Sequence, residues 1–139
     1  METRAKTARL LLADDHSGMI AQTARLLADE FDVVGTAGTG PKVIEEVALL
    51  DPDVVVLDIT LPGMDGIEVA RRLCQSGSRT RVVFLTVHED PDYVRAAMDA
   101  GGSAYVSKSR LATDLIPAIH SVLAQNNFIS PTLKFDDKP

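Results

Sequence analysis

Asp14, Asp15, Asp58, Thr86 and Lys108 are far apart in the chain, yet each falls at or just beyond the end of a short apolar run. The runs are residues 10–13, 54–57, 82–85 and 104–106. Segments this short and this continuously apolar are those of strands buried on both faces of a parallel sheet. In an open parallel sheet, ligands bind outside the carboxyl ends of the strands. Three carboxylates, a hydroxyl and an ammonium are therefore expected along one edge. Two like charges about 4 Å apart repel by roughly 4 kcal/mol at an effective dielectric near 20, so such a cluster calls for a positive partner. Oxygen-only ligands in a partly open cage suit a hard divalent cation such as magnesium (or manganese), which shares its remaining positions with water and phosphate. Lys108 would hold a phosphoryl oxygen as a mobile point charge, and Thr86 would donate a hydrogen bond to another.

The elements that must bring these residues together can be read from the same pattern. After the first run, Ile20, Ala24, Leu27 and Phe31 recur at helical spacing on a segment opened by Ser17. Residues 31–36 read as a second strand. Pro41 suits the first position of a second helix, whose stripe is Val43, Val47 and Leu50. Asp65 is placed to cap a third helix carrying Ile67, Ala70 and Leu73, and Gly77 to end it. Asp90-Pro91 opens a fourth helix, stopped at Gly101-Gly102. In the last helix Pro117 interrupts the stripe of Leu115, Ile119 and Val122, and Thr113 as the cap would put this proline in the first turn, where no intrahelical bond is lost. Five strands alternating with five helices predict a doubly wound α/β sandwich. The expected division is an N-terminal extension at 1–7, one domain at 8–125 and a tail or linker at 126–139. Phe128, Ile129, Leu133 and Phe135 could dock locally.

Composition narrows the function. A chain of 139 residues with 45% hydrophobic content can bury a real core. Its net charge of -6 argues against direct nucleic-acid binding, which needs clustered Lys and Arg. One cysteine excludes an internal disulfide and fits a reducing cytoplasm. No stretch approaches a signal-peptide core or a membrane span, so a cytoplasmic protein without membrane contact is expected. Cys74, beside Leu73, reads as a buried small hydrophobe. His16 and His88 complete no metal-ligand spacing and read as ordinary residues near the site, with a pocket-rim role for His88 in water access as the lesser alternative. His120 reads as a helix-surface residue.

The chain resembles the receiver domain of bacterial two-component response regulators over about residues 8–125. The matching pieces are Leu12-Ala13-Asp14-Asp15-His16, Val56-Leu57-Asp58-Ile59-Thr60-Leu61-Pro62-Gly63-Met64-Asp65-Gly66, Leu85-Thr86, and the stretch from Ala100 through Gly101-Gly102-Ser103-Ala104-Tyr105-Val106-Ser107 to Lys108. The resemblance implies a flavodoxin-like (βα)5 fold, with a five-stranded parallel sheet in the order 2-1-3-4-5. It implies that Asp58 is the phosphoacceptor, that Asp15 binds magnesium directly and Asp14 through water, and that the Thr60 backbone carbonyl completes the protein ligands. Thr86 would be the switch hydroxyl, Lys108 the phosphate-sensing cation and Tyr105 the aromatic that moves with Thr86. A histidine kinase would be the phosphodonor. The surface of the fourth helix, fifth strand and fifth helix would change to control output, possibly as a homodimer.

Many receivers follow the lysine with proline, whereas Ser109 stands here, which excludes a cis X-Pro bond at that point. This variant, with Ala118-Ile119-His120-Ser121-Val122-Leu123-Ala124 and Phe128-Ile129-Ser130-Pro131, is similar to receivers of the NarL/LuxR type. Those carry a helix-turn-helix domain downstream, so transcription and DNA would be reached only through an output domain absent from this chain. Three alternatives compete. An aspartate-nucleophile phosphatase of the haloacid-dehalogenase class needs a second carboxylate two residues after the nucleophile, where Thr60 stands. A flavin-binding module would have its phosphate repelled by Asp14 and Asp15. A receiver-like scaffold that never takes phosphate is opposed by the intact set of Asp58, Thr86 and Lys108. The expectation is therefore a phosphoacceptor switch rather than an enzyme.

Overall fold

The computed structural model describes residues 7–133. The apolar runs become β1 (Arg9–Ala13), β3 (Val54–Leu57), β4 (Arg81–Thr86) and β5 (Ala104–Ser107), and every residue of β3 and β5 is buried. β2 (Asp32–Ala37) starts and ends one residue later than the pattern suggested. The sheet is parallel throughout, in the order β2-β1-β3-β4-β5-β6. Alternation along β1 shows the two-sided burial: Leu10 and Leu12 face one core and Leu11 and Ala13 the other.

Helices α1 (Ser17–Leu27) and α5 (Leu111–Leu123) cover one face, where Leu27, Leu115, Ile119 and Val122 meet Val54, Val56, Val83 and Val106. Helices α2 (Gly40–Leu50), α3 (Gly66–Gln75) and α4 (Pro91–Asp99) cover the other, where Val43, Val69, Leu73 and Val94 meet Val55, Phe84 and Tyr105. Burying a side chain of this size contributes about 1.5–3 kcal/mol, so the two faces together hold the strand ends in register. The caps form as their residue types dictate. Thr39 accepts from the Lys42 N–H, Asp65 from the Glu68 N–H and Asp90 from the Asp92 N–H. Gly101 ends the α4 region with φ of 114°, a conformation that a side chain would strain. Cys74 is exposed rather than buried. Val69, Ala70 and Leu73 fill the inward stripe of α3, and the next position turns about 100° away from the core.

One expectation near the carboxyl terminus is corrected. Thr113 does not cap the last helix: α5 begins at Leu111, after a 3-10 turn at Lys108–Arg110, and Pro117 lies inside it. An interior proline costs about 3 kcal/mol in general. Here Leu111 is buried and extends the stripe one turn earlier. Thr113 and Pro117, the residues of the missing bond, are both exposed, so water can reach the carbonyl left without its partner. The five expected strands stand in the expected order, and among the described residues the sheet gains a sixth, minor one. β6 (Phe128–Ile129) adds in parallel to the edge of β5, pairing Phe128 with Ala104 and Ile129 with Tyr105. Ser130 and Leu133 are buried behind it, so Phe128, Ile129 and Leu133 do dock locally; Phe135 lies outside the described residues.

Candidate functional site

The site is built where β1, β3, β4 and β5 end. Asp14 and Asp58 immediately follow their strands, and the ladder continues through them: Asp14 N–H donates to the Ala37 carbonyl at 3.0 Å and Asp58 N–H to the Ala13 carbonyl at 3.0 Å. Both carboxylates are therefore fixed by backbone bonds and largely buried. Gly66 fixes the far side. A Cβ there would stand 2.1 Å from the Asp58 carbonyl oxygen, so only glycine lets the start of α3 pack against the backbone of Asp58.

Lys108 crosses from the end of β5 and joins the two acids. Its Nζ donates to Asp14 Oδ2 at 2.7 Å and to Asp58 Oδ2 at 3.0 Å, with side-chain exposures of 13% for the lysine, 8% for Asp14 and 5% for Asp58. Burial alone would lower the lysine's pKa, but the hydrogen bonds and charges of Asp14 and Asp58 outweigh it and leave the pKa above the ordinary value. One ammonium thus holds two converging carboxylates that would otherwise repel.

Asp15 and His16 form the more open rim. The His16 ring nitrogen Nδ1 lies 3.0 Å from Asp15 and 3.2 Å from Asp14, and the His16 N–H donates to Asp14 Oδ1 at 2.9 Å. Candidate metal-ligand atoms of Asp14, Asp15 and His16 lie within 4.8 Å of one another, so His16 joins a cluster that its sequence spacing did not reveal. Asp14, Asp15 and Asp58 carry three negative charges against the single charge of Lys108, and their donors are hard oxygens. That set suits a magnesium ion, which favours carboxylates and retained waters.

Thr86, the last residue of β4, is fully buried, and its Oγ1 accepts a long 3.5 Å bond from the His88 N–H. Tyr105 is also fully buried and donates through its hydroxyl to the His88 carbonyl at 2.7 Å. Burial, and then the negative charge of Asp58, push the Tyr105 phenol well above its ordinary range, so it stays a donor. His88 does more than sit at the rim. Its Nε2 shares a 2.8 Å hydrogen bond with Thr60 Oγ1, and its ring stacks on Tyr93 with centroids 4.2 Å apart. Thr60 N–H reaches Asp58 Oδ1 at 3.4 Å. His88 therefore joins the loop after Asp58 to both Thr86 and Tyr105; only its position two residues past Thr86 hinted at this.

Ser109 also has a partner that the sequence did not show. The hydroxyls of Ser107 and Ser109 both donate to Glu89 Oε2, Ser109 at 3.1 Å. The loop between β4 and α4 is thereby tied to the turn that carries Lys108. His120 is exposed, as expected, and pairs with Glu30 at 2.8 Å away from the site.

Comparison with known proteins agrees with this arrangement. Residues 10–120 match the model of the response regulator receiver domain. Among characterised relatives, the response regulator GacA of Pseudomonas viridiflava is 34% identical over 127 residues, covering 90% of this chain and 59% of that protein. The transcriptional regulatory protein PdtaR of Mycobacterium tuberculosis is 36% identical over 118 residues, covering 84% of this chain and 57% of that protein. The chain thus spans somewhat less than three fifths of the length of these two relatives. A two-component response regulator of the LuxR family from Aurantimonas sp. SI85-9A1 superposes with a TM-score of 0.88 at 34% identity, over 92% of this chain and 93% of that one. The receiver domain of the response regulator NarL from Mycobacterium tuberculosis superposes with a TM-score of 0.83 at 29% identity, over 86% and 98% of the two chains. With its strand-end acids, its bridging lysine and these matches, the chain belongs to the response regulator receiver domain family.

Proposed function

We propose that Asp58 is a phosphoacceptor that takes its phosphoryl group from a phosphohistidine of a histidine kinase. The observation that carries this reading is Lys108 Nζ, held between the buried carboxylates of Asp14 and Asp58 at the strand ends. An Asp58 carboxylate oxygen forms a bond to phosphorus, and the phosphorus–nitrogen bond of the donor breaks. The electron pair returns to the imidazole nitrogen, which takes up a proton, and Asp58 becomes an acyl phosphate. Asp15, Asp58 and the Thr60 carbonyl would hold magnesium or manganese directly and Asp14 through water; when bound, the ion offsets charge on the transferring group. Lys108 and Thr86 neutralise and orient the phosphoryl oxygens. The acyl phosphate carries about -1.5 to -2 charges where the carboxylate carried -1, and contacts made only in that state shift an existing equilibrium of the α4, β5 and α5 surface.

That surface then controls a partner or a second copy of the chain. The family and the LuxR-type neighbours support a cytoplasmic regulator acting on transcription, with residues 8–125 as the receiver and 126–139 leading towards output. No helix among the described residues is long and apolar enough to cross a membrane. Treatment with acetyl phosphate and magnesium, read by intact mass, should add one phosphoryl group to the wild type and none to Asp58→Asn. Equal labelling of both proteins refutes the assignment, and failure of the wild type to label favours the phosphorylation-independent scaffold.

A further inference from the structure

The strip from Tyr105 to Ser109 carries contacts in three directions. Through Lys108 it reaches Asp14 and Asp58. Through side chains it holds the loop between β4 and α4: Tyr105 Oη donates to the His88 carbonyl at 2.7 Å, and Ser107 and Ser109 donate to Glu89. Through its backbone edge it holds the chain after α5. Ser130 N–H donates to the Tyr105 carbonyl at 2.9 Å, and Ser107 N–H donates to Ser130 Oγ at 3.3 Å. Ser130 is fully buried, and Leu133 and Ile129 pack into the same cluster as Tyr105.

The segment is anchored from α5 as well. Burial alone would raise the Asp114 carboxyl, but hydrogen bonds from Arg110, then Ser130 and Thr113, outweigh it and hold its pKa below the ordinary value. A two-residue strand is too short to stay paired on its own backbone bonds. Its place depends on Ser130, Leu133 and the shape of the strip they meet. That strip is in turn shaped by the loop bonded to Tyr105 and Ser107 on the other side.

We propose that residues 128–133 are a releasable strand latch, whose docking on β5 and closure of the 88–89 loop stabilise each other through Tyr105 and Ser107. The coupling is reciprocal, as any linkage between two equilibria must be. Its use as an output path rests on the reading of Asp58 as the phosphoacceptor, because Thr86, at the end of β4, bonds to His88 of that loop. The coupling itself needs no phosphate. An edge strand of this kind can carry a change at the strand ends to whatever follows it, without any change in the sheet beneath.

The test is amide hydrogen exchange by NMR. In Tyr105→Phe and in Glu89→Ala, the Ser130 and Phe128 amides should exchange about fivefold faster or more, the effect of losing a partly buried hydrogen bond from a coupled unit. The Leu11 amide in β1 serves as the reference, and its rate should stay unchanged, which separates unlatching from global destabilisation. Acceleration relative to Leu11 in either variant supports the latch; no relative change in both overturns it. In a second arm, wild-type protein treated with acetyl phosphate and magnesium is weighed and then exchanged. A phosphoryl group on Asp58 with an altered Ser130 rate places the latch on the signal path, and a phosphoryl group with an unaltered rate removes it from that path. Absence of labelling refutes the phosphoacceptor reading alone, and the two variants still decide the coupling.

Discussion

Replacing Lys108 with methionine should destabilise the metal-free protein and at the same time strengthen its response to magnesium. Methionine keeps most of the aliphatic stem, so the change removes chiefly the charge. At contact distances near 3 Å and an effective dielectric of 20, each ammonium–carboxylate attraction is about 5.5 kcal/mol, opposed by desolvation of several kcal/mol for each ion. Breaking a buried pair by deleting one partner costs about 3–5 kcal/mol, because the other charge is left without compensation. Lys108 is slightly exposed, so water screens part of the unbalanced charge and the expected loss is about 2–4 kcal/mol. For a chain of this length, that lowers the melting temperature by about 8–16 °C. A divalent cation can take over the role of the missing ammonium between Asp14 and Asp58. Magnesium should therefore raise the melting temperature of Lys108→Met by more than it raises that of the wild type. Thermal unfolding followed by circular dichroism across a magnesium titration measures both effects. Equal melting temperatures without metal, or equal magnesium-induced rises, would refute the account of Lys108 as the resident counter-ion.

Three further outcomes are expected. Thr86→Ala should still gain a phosphoryl group on Asp58, since the nucleophile is intact, but at matched phosphorylation its NMR response around Tyr105 should be much smaller than that of the wild type; an identical response would remove Thr86 from the switch. Gly66→Ala should lower stability by at least about 2–3 kcal/mol in urea unfolding, because its Cβ would press on the Asp58 carbonyl and the Ile59 backbone, and a neutral result would contradict that packing. Asp114 has a lowered folded pKa, so its pairing stabilises the protein above the ordinary value of 3.8 and is lost as pH falls through the lowered value. Wild type should accordingly exceed Asp114→Asn by about 1 kcal/mol from pH 5 to 8, with the difference shrinking on acidification below 3.8.

What could be read in advance was whatever depends on burial pattern and chain punctuation. Residues 54–57 and 104–106 are apolar at every position, which leaves a doubly covered parallel strand as the economical reading, and the site residues follow because they end such runs. Asp65 and Asp90 capped as their types predict. The start of α5 is not legible in the sequence because two local rules conflict there. Thr113 has good capping chemistry and would excuse Pro117, but burial of Leu111 favours starting one turn earlier. β6 leaves no strand signal in the sequence because two residues carry no periodicity; it exists through an edge offered by β5 and a buried hydroxyl at Ser130. Cys74 shows that neighbouring a core residue on a helix says little about burial, since one position is 100° of rotation. The pairing of Lys108 with Asp14, and the hub at His88, depend on where long side chains and loop carbonyls settle in space. No spacing along the chain encodes them.

The placement of Lys108 connects the chemistry of the site to the rest of the molecule. An ammonium bound only to Asp58 would report on that acid alone, but this one is shared with Asp14 on the neighbouring edge of β1. Adding a phosphoryl group to Asp58 increases the negative charge on one side of that balance, while a divalent cation increases the positive charge facing Asp14 and Asp58. Both changes weaken the hold of Asp14 on the lysine relative to the phosphoryl oxygens. Because Lys108 begins the 3-10 turn directly after Ser107, its backbone cannot shift without altering the strand edge that Ser130 occupies or the hydroxyls that hold Glu89. On the proposed reading, a local electrostatic change would become a mechanical one within three residues. If the lysine were decoupled from β5, for instance by a Gly-Gly insertion between Ser107 and Lys108, phosphorylation of Asp58 should persist while the exchange rates of 128–133 follow it less closely. Undiminished tracking in that variant would show that the signal leaves through Thr86 and the β4–α4 loop without help from Lys108.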